Sequence, residues 1–216
     1  MTVTDGTTEV AVRGRDPALA YRSAEHPFRR RLLDGLADSI AERGYRETTI
    51  ADIVRHARTS KRTFYQEFGS KEECFIELLW TANQEMMANI RAAVDPEAFW
   101  QDQIRQAIGA YVDSIESNPA ITLSWIRELP ALGTAVRPVQ RRGIGELTTM
   151  LVELSDTPGF RRSSVPPVSK PLAVILLGGL RELTALTVED NLDVRDIVET
   201  AVTASIAVIG RGAPAH

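Results

Sequence analysis

TTIADIVRHARTSKRTFYQEFGSKEE, residues 48–73, is the stretch whose reading decides the fold. Ile50, Ile53, Val54, Ala57, Phe64 and Phe68 recur at helical spacing, so two helices of about two turns each share one small core. Ser60, Lys61, Arg62, Thr63 and Tyr65 fill the face of the second helix that this core leaves free. Thr49 followed three residues later by Asp52 reads as an acidic capping box, which starts the first helix near Ile50. Arg58–Thr59 forms the turn, Ser60 caps the second helix, and Ser70 with Glu73 caps a third. Two short helices at a tight turn, the second polar and cationic on its outer face, have the chemistry of a helix-turn-helix.

Upstream, Phe28, Leu32, Leu36, Ala37 and Ile40 give a helix that begins at Pro27, a residue suited to the first helical position. It ends at Gly44, which tolerates a positive φ. Residues 1–25 lack periodicity and are expected to form a flexible arm, with Arg13, Arg15 and Arg22 able to touch phosphates or a minor groove.

Downstream the pattern stays helical without strand-like alternation. Helices are expected over about 71–93, 96–117, 119–129, 132–155, 168–188 and 193–211. Pro138 falls in the first turns of its helix or kinks it, and the proline-rich stretch 156–167 reads as a loop. The expected fold is all-α with about nine helices. Residues 26–70 are expected to form a three-helix helix-turn-helix DNA-binding domain, and residues 71–216 a larger helical domain, to which the resemblance described below assigns ligand binding and dimerisation.

Composition is consistent with this. A chain of 216 residues with 44% hydrophobic and 25% charged residues can bury a substantial core. The net charge is −4, but residues 22–71 hold eleven Lys and Arg against seven Asp and Glu, a local +4 that leaves −8 elsewhere. One basic end on an acidic body would present a single face to phosphate. The lone Cys74 permits no internal disulfide and fits a reducing cytoplasm. The longest apolar run, Leu172 to Leu180, is well short of the roughly 18–20 residues that span a bilayer, so no membrane partner is expected.

The order of a first helix, a TxxxI-type cap, a turn and SKRTFYQEFGSKEECF resembles the N-terminal DNA-binding domain of TetR-like transcriptional regulators over about residues 28–80. The resemblance implies a homodimeric repressor whose larger domain binds a small hydrophobic or aromatic effector that releases a palindromic DNA operator. Two positions depart from the family pattern. Arg58 stands where the family commonly has glycine, and Thr59 where it has an aliphatic residue. A left-handed Arg58 costs about 1 kcal/mol relative to glycine.

On this reading Thr48, Thr49, Arg58, Thr59, Ser60, Lys61, Arg62, Thr63, Tyr65 and Lys71 are the candidate DNA contacts. Caps and Lys71 set register on phosphates, Tyr65 holds a phosphate, and Arg62 is placed to pair with a guanine edge. The helix over 168–188 is apolar almost all round, more than one buried face requires. Leu176, Leu180, Leu183, Val202, Ile206 and Ile209 are the expected dimer seam. The effector cavity implied by the resemblance would draw on Trp80, Asn83, Met87, Phe99, Trp100, Gln103, Tyr111, Trp125 and Glu128. No catalytic set, metal-spaced ligands or phosphate loop is visible, and no cofactor is expected. The same unit also serves activators and co-ligand-dependent regulators. A helical ligand-binding protein that does not bind DNA is the remaining alternative.

Overall fold

The computed structural model describes residues 27–210, so the expected N-terminal arm lies outside the described residues. Every regular element among them is helical. In chain order these are α1 (Pro27–Glu47), α2 (Ile50–His56), α3 (Lys61–Glu67), α4 (Lys71–Ala93), α5 (Trp100–Ser117) and α6 (Pro119–Leu123). A π turn, Ser124–Glu128, carries α6 into α7 (Leu129–Ala131). Then follow α8 (Arg137–Leu154), α9 (Pro158–Arg162), α10 (Lys170–Glu189) and α11 (Ile197–Ile209).

The expected boundaries hold where local chemistry sets them. Gly44 has φ 80° and interrupts α1, so the chain turns toward α2 there. Two differences have local causes. Pro138 lies in the first turn of α8, which therefore starts at Arg137 rather than near 132. The stretch expected to be only loop contains α9, with Pro158 at its start. The Thr157 hydroxyl there does not cap the helix but donates to Gln103 Oε1 at 2.8 Å.

Two larger cores and a smaller one organise the molecule. The first gathers Leu32, Leu36, Ile53, Phe64 and Phe68 with Cys74, Phe75 and Leu79 of α4 and Leu129 of α7. The helix-turn-helix is thus packed directly on the start of α4. Cys74 is fully buried in this core, and burial raises its thiol pKa, which makes it unreactive. The second core joins α5, α10 and α11 through Val112, Ile115, Phe160, Ala173 and Val202. Met87, Ile90, Ala110 and Met150 fill the space between α4, α5 and α8.

A buried ion pair ties the two ends of the first core. Arg29 of α1 forks onto both oxygens of Glu77 on α4, donates to the Glu67 carbonyl, and lies 4.1 Å from the centre of the Phe68 ring. Pairing of this kind lets a guanidinium and a carboxylate share an apolar interior. One of the cations counted toward the basic end is therefore internal.

α10 is long and apolar enough, by length and composition, to cross a bilayer. One side of it packs on the second core, while Glu182 and Glu189 both hold Arg127 at 2.8 and 2.7 Å. Arg181 donates to the Ile126 carbonyl at 2.8 Å, inside the π turn. Charged side chains held along the helix by a neighbouring element do not fit a lipid-facing helix.

Candidate nucleic-acid interface and effector cavity

The helix-turn-helix is built from caps. Thr49 Oγ1 accepts from the Asp52 N–H at 3.3 Å, and the Asp52 carboxylate accepts from the Thr49 N–H at 3.0 Å. The Thr49 hydroxyl also donates to that carboxylate at 2.6 Å, and this bond first, with the Thr49 N–H second, holds the Asp52 carboxyl down at about 2. Ser60 Oγ accepts from the Thr63 N–H at 3.1 Å and caps α3. Ser70 caps α4 in the same way. Gly35 of α1 allows α2 to approach closely, since a Cβ there would lie 2.7 Å from the Ile53 carbonyl oxygen and 2.8 Å from the Ala57 nitrogen.

The turn at Arg58 is left-handed, with φ 49°. Arg31 of α1 braces it by donating to the Arg58 carbonyl at 2.8 Å and to the Ala57 carbonyl. Sequence reading counted Arg31 only as one of a basic group. Its role was not visible because it depends on where α1 crosses the turn.

The α3 surface is exposed at Lys61, Arg62, Tyr65 and Gln66, and Arg58 is exposed beside them. Among the described residues, the side chains of Arg58, Lys61 and Arg62 have no hydrogen bond or ion pair. Other cations of the domain are committed. Arg43 and Arg55 pair with Glu42 and Asp52, Arg30 pairs with Asp34, and Arg46 reaches Glu128 at 2.9 Å. The uncommitted positive charge is therefore concentrated on the turn and the first turn of α3.

Other expected contacts are placed differently. Thr48 is buried, and its hydroxyl donates to the Gly44 carbonyl at 2.8 Å and meets Ser39 at 3.1 Å, so its side chain locks the α1–α2 junction. Lys71 points inward. Its Nζ donates to the Tyr45 and Thr48 carbonyls at 3.1 and 2.8 Å and lies 4.4 Å from the centre of the Tyr45 ring. Carbonyls at the end of α1 are short of donors, and a lysine from the next helix supplies them. Thr59 and Thr63 are half-buried.

The effector residues expected from sequence are not brought together. Phe99 is 74% exposed, whereas Trp100 packs on Phe160 in the second core. Trp80 lies beneath the Arg142 guanidinium, and Trp125 sits directly on Gly143. Tyr111 and Thr184 share a hydrogen bond of 3.0 Å, and Glu128 is taken by Arg46. Asn83 is buried with Nδ2 unpartnered. Met87 fills the small third core and borders an adjacent cleft. Of the nine, only Gln103 borders the apolar cavity of about 320 Å³, and its Nε2 is already spent on the Pro96 and Ala98 carbonyls.

That cavity lies between α5, α8, α10 and α11 and is walled by Ile104, Ile108, Leu151, Leu176, Leu180 and Leu183. Its polar margin is limited to side chains such as Ser155, Thr200 and Ser205. Three leucines expected at the dimer seam thus turn inward. Val202 and Ile209 are buried, and Ile206 packs on the second core. The exposed apolar surface is Val174, Ile175 and Leu186 of α10 with Val208 of α11, beside the exposed Gly178 and Ala204, of which Ile175 and Ala204 also form the rim of the cavity. A helix apolar all round does not show in its sequence which side meets its own core.

An all-helical body behind a helix-turn-helix whose second helix presents free cations defines a DNA-binding regulator. Residues 32–78 match the family model described as bacterial regulatory proteins, tetR family. Those residues carry the N-terminal helix-turn-helix domain of TetR-like transcriptional regulators. The chain is similar to the uncharacterized HTH-type transcriptional regulator YhgD of Bacillus subtilis, 24% identical over 148 residues that cover 68% of this chain and 76% of the relative. It is also similar to the HTH-type transcriptional repressor KstR2 of Mycobacterium tuberculosis, 32% identical over 106 residues covering 49% of this chain and 53% of that protein. Among solved structures, the regulator FadR of Bacillus subtilis in complex with stearoyl-CoA has a TM-score of 0.69 at 16% identity, covering 81% of this chain and 95% of that one.

Proposed function

We propose that the protein is a homodimeric repressor that reads an inverted-repeat operator and leaves it when an apolar effector fills the cavity bordered by α10. The observation that carries the DNA part is the set of exposed, uncommitted side chains Arg58, Lys61, Arg62 and Tyr65. Arg62 reads a guanine edge, while Lys61, Tyr65 and the capped N-termini at Thr49 and Ser60 hold phosphates and fix register. One short recognition helix covers few base pairs, so specificity requires two, about 34 Å apart.

The apolar stripe of Val174, Ile175, Leu186 and Val208 supports pairing through α10 and α11. Small residues along it let two copies approach closely. The division at residue 70, with α4 starting the second domain, follows from this reading, as does action in the cytoplasm where the operator is found.

The effector part rests on the cavity and on the likeness to FadR, which is solved with stearoyl-CoA. A long hydrocarbon suits walls of leucine and isoleucine. To release DNA, the ligand must bind the non-DNA-binding arrangement more tightly than the other.

Selection from a random duplex library at physiological salt tests the reading. An enriched inverted repeat is expected, and sedimentation should give a dimer that Leu186→Glu converts to a monomer. Salt-sensitive retention without enrichment would overturn the operator assignment. A wild-type monomer would overturn the two-fold reading.

A further inference from the structure

Beside the apolar cavity lies a second, open cleft of about 1070 Å³ along α8, between α4 and the start of α10. Its walls carry Arg91, Arg137, Arg141, Arg142 and Lys170 against a single carboxylate, Glu146. The setting makes this unusual, since residues outside the DNA-binding unit are acidic in sum. Arg142 is held by Glu146 at 3.0 Å, and Arg91 by Glu153 at 3.5 Å. Among the described residues, Arg137, Arg141 and Lys170 have no side-chain hydrogen bond or ion pair.

Helix stability does not account for these cations. Arg137 and Lys170 are the first residues of α8 and α10, and neither helix has an acidic residue in its first turn. The helix dipole disfavours a cation at that end. Gln84, Gln140, Thr148 and Thr149 add neutral polar groups to the same walls. Cations clustered against both their neighbours and the dipole gain only when an anion joins them.

The cleft and the cavity are lined by different, neighbouring residues of the same stretches of chain. Along α10, Val174 lines the cleft and Ile175 the cavity; along α8, Thr149 lines the cleft and Leu151 the cavity; along α4, Arg91 and Val94 divide in the same way. We propose that the cleft is an anion site for the phosphate-bearing head of the effector, whose hydrocarbon tail fills the cavity. This rests on the cavity being the effector site. It adds that recognition of the ligand class depends on charge as well as length: an acyl chain joined to a polyphosphate is selected over the free acid.

Titration calorimetry on the full chain tests this with hexadecanoyl-CoA, hexadecanoate and coenzyme A as probes. The triple variant Arg137→Ala/Arg141→Ala/Lys170→Ala removes only exposed side chains, and an unchanged melting temperature would confirm its fold. Wild type is expected to bind hexadecanoyl-CoA at least about tenfold tighter than hexadecanoate, with the advantage falling as salt is added. The variant should lose that advantage and keep its affinity for hexadecanoate. Equal hexadecanoyl-CoA affinity in both proteins, with hexadecanoate still bound, would overturn the anion site and leave the cavity reading intact. Coenzyme A bound by wild type and lost in the variant would support the anion site even if hexadecanoate fails to bind. No heat with any of the three probes overturns both.

Discussion

In the helix-turn-helix region, α2, α3 and α4 each begin on a hydroxyl that accepts from a backbone N–H: Thr49, Ser60 and Ser70. In the body, α5, α6, α8 and α9 begin with no side-chain cap, and three of those four carry proline in the first turn. The first region fixes backbone geometry with local hydrogen bonds, so short helices hold a rigid outer face. Among the described residues of the body only α10 begins on such a hydroxyl, Ser169, and the helices are joined by apolar packing, which tolerates a cavity and a π turn. A reading head needs the former, because base edges demand placement to a fraction of a hydrogen-bond length. A ligand-responsive body needs the latter, because it must have two arrangements close in energy.

The contrast can be tested first at the joint between the regions. Glu77→Ala leaves the Arg29 guanidinium buried without its carboxylate and is expected to cost about 3–5 kcal/mol, read by denaturant unfolding. A loss below 1 kcal/mol would mean that water replaces the carboxylate and that the joint is looser than the packing suggests. Gly35→Ala comes next, because the atoms it meets are backbone. A cost of about 1–3 kcal/mol and weakened DNA binding are expected. Gly178→Ala on α10, with nothing within 4 Å in one protomer, should leave the protomer's fold intact.

Within the reading head, Arg62→Ala should relax preference at one base position by about 1–3 kcal/mol, measured across single-base operator variants. A uniform loss across all variants would move Arg62 to the phosphate-holding set. Arg58→Gly separates fold from function: relief of the left-handed strain should stabilise the domain by about 1 kcal/mol. The same change should lower the salt slope of DNA binding by about one.

The smallest effect concerns Asp52. Its folded pKa of about 2 lies below the ordinary carboxyl value of 3.8, so the capping box contributes stability above that ordinary value. The contribution is lost as pH falls toward 2. Asp52→Asn should flatten stability between pH 4 and 2 without changing the body's response, seen as unfolding midpoints measured across that window.

How much of this was legible in the sequence varies by residue. Thr49–Asp52, Ser60 and Gly44 could be read because each makes its decisive contact within four residues. Arg58 could be read as a left-handed position because it stands where a glycine is expected. Thr48 and Lys71 could not be placed, since both look like surface polar residues until the end of α1 is set beside them. The aromatic and methionine residues of α4 to α6 could be recognised as apolar, but their partners Phe160, Gly143 and Thr184 come from far along the chain. The same limit hid which side of α10 and α11 meets their own core.

The sequence by itself determined the helices, their caps, the turn and the charge asymmetry, because propensity, periodicity and capping act over three or four residues. Only the tertiary structure decided which cations stay free, where the cavity opens and which side of α10 faces outward. Those depend on desolvation and pairing between groups on different segments of the chain, from Lys71 and Thr48, separated by 23 residues, to Arg127 and Glu182, separated by 55. A local pattern shows that such groups exist but cannot say which of them meet.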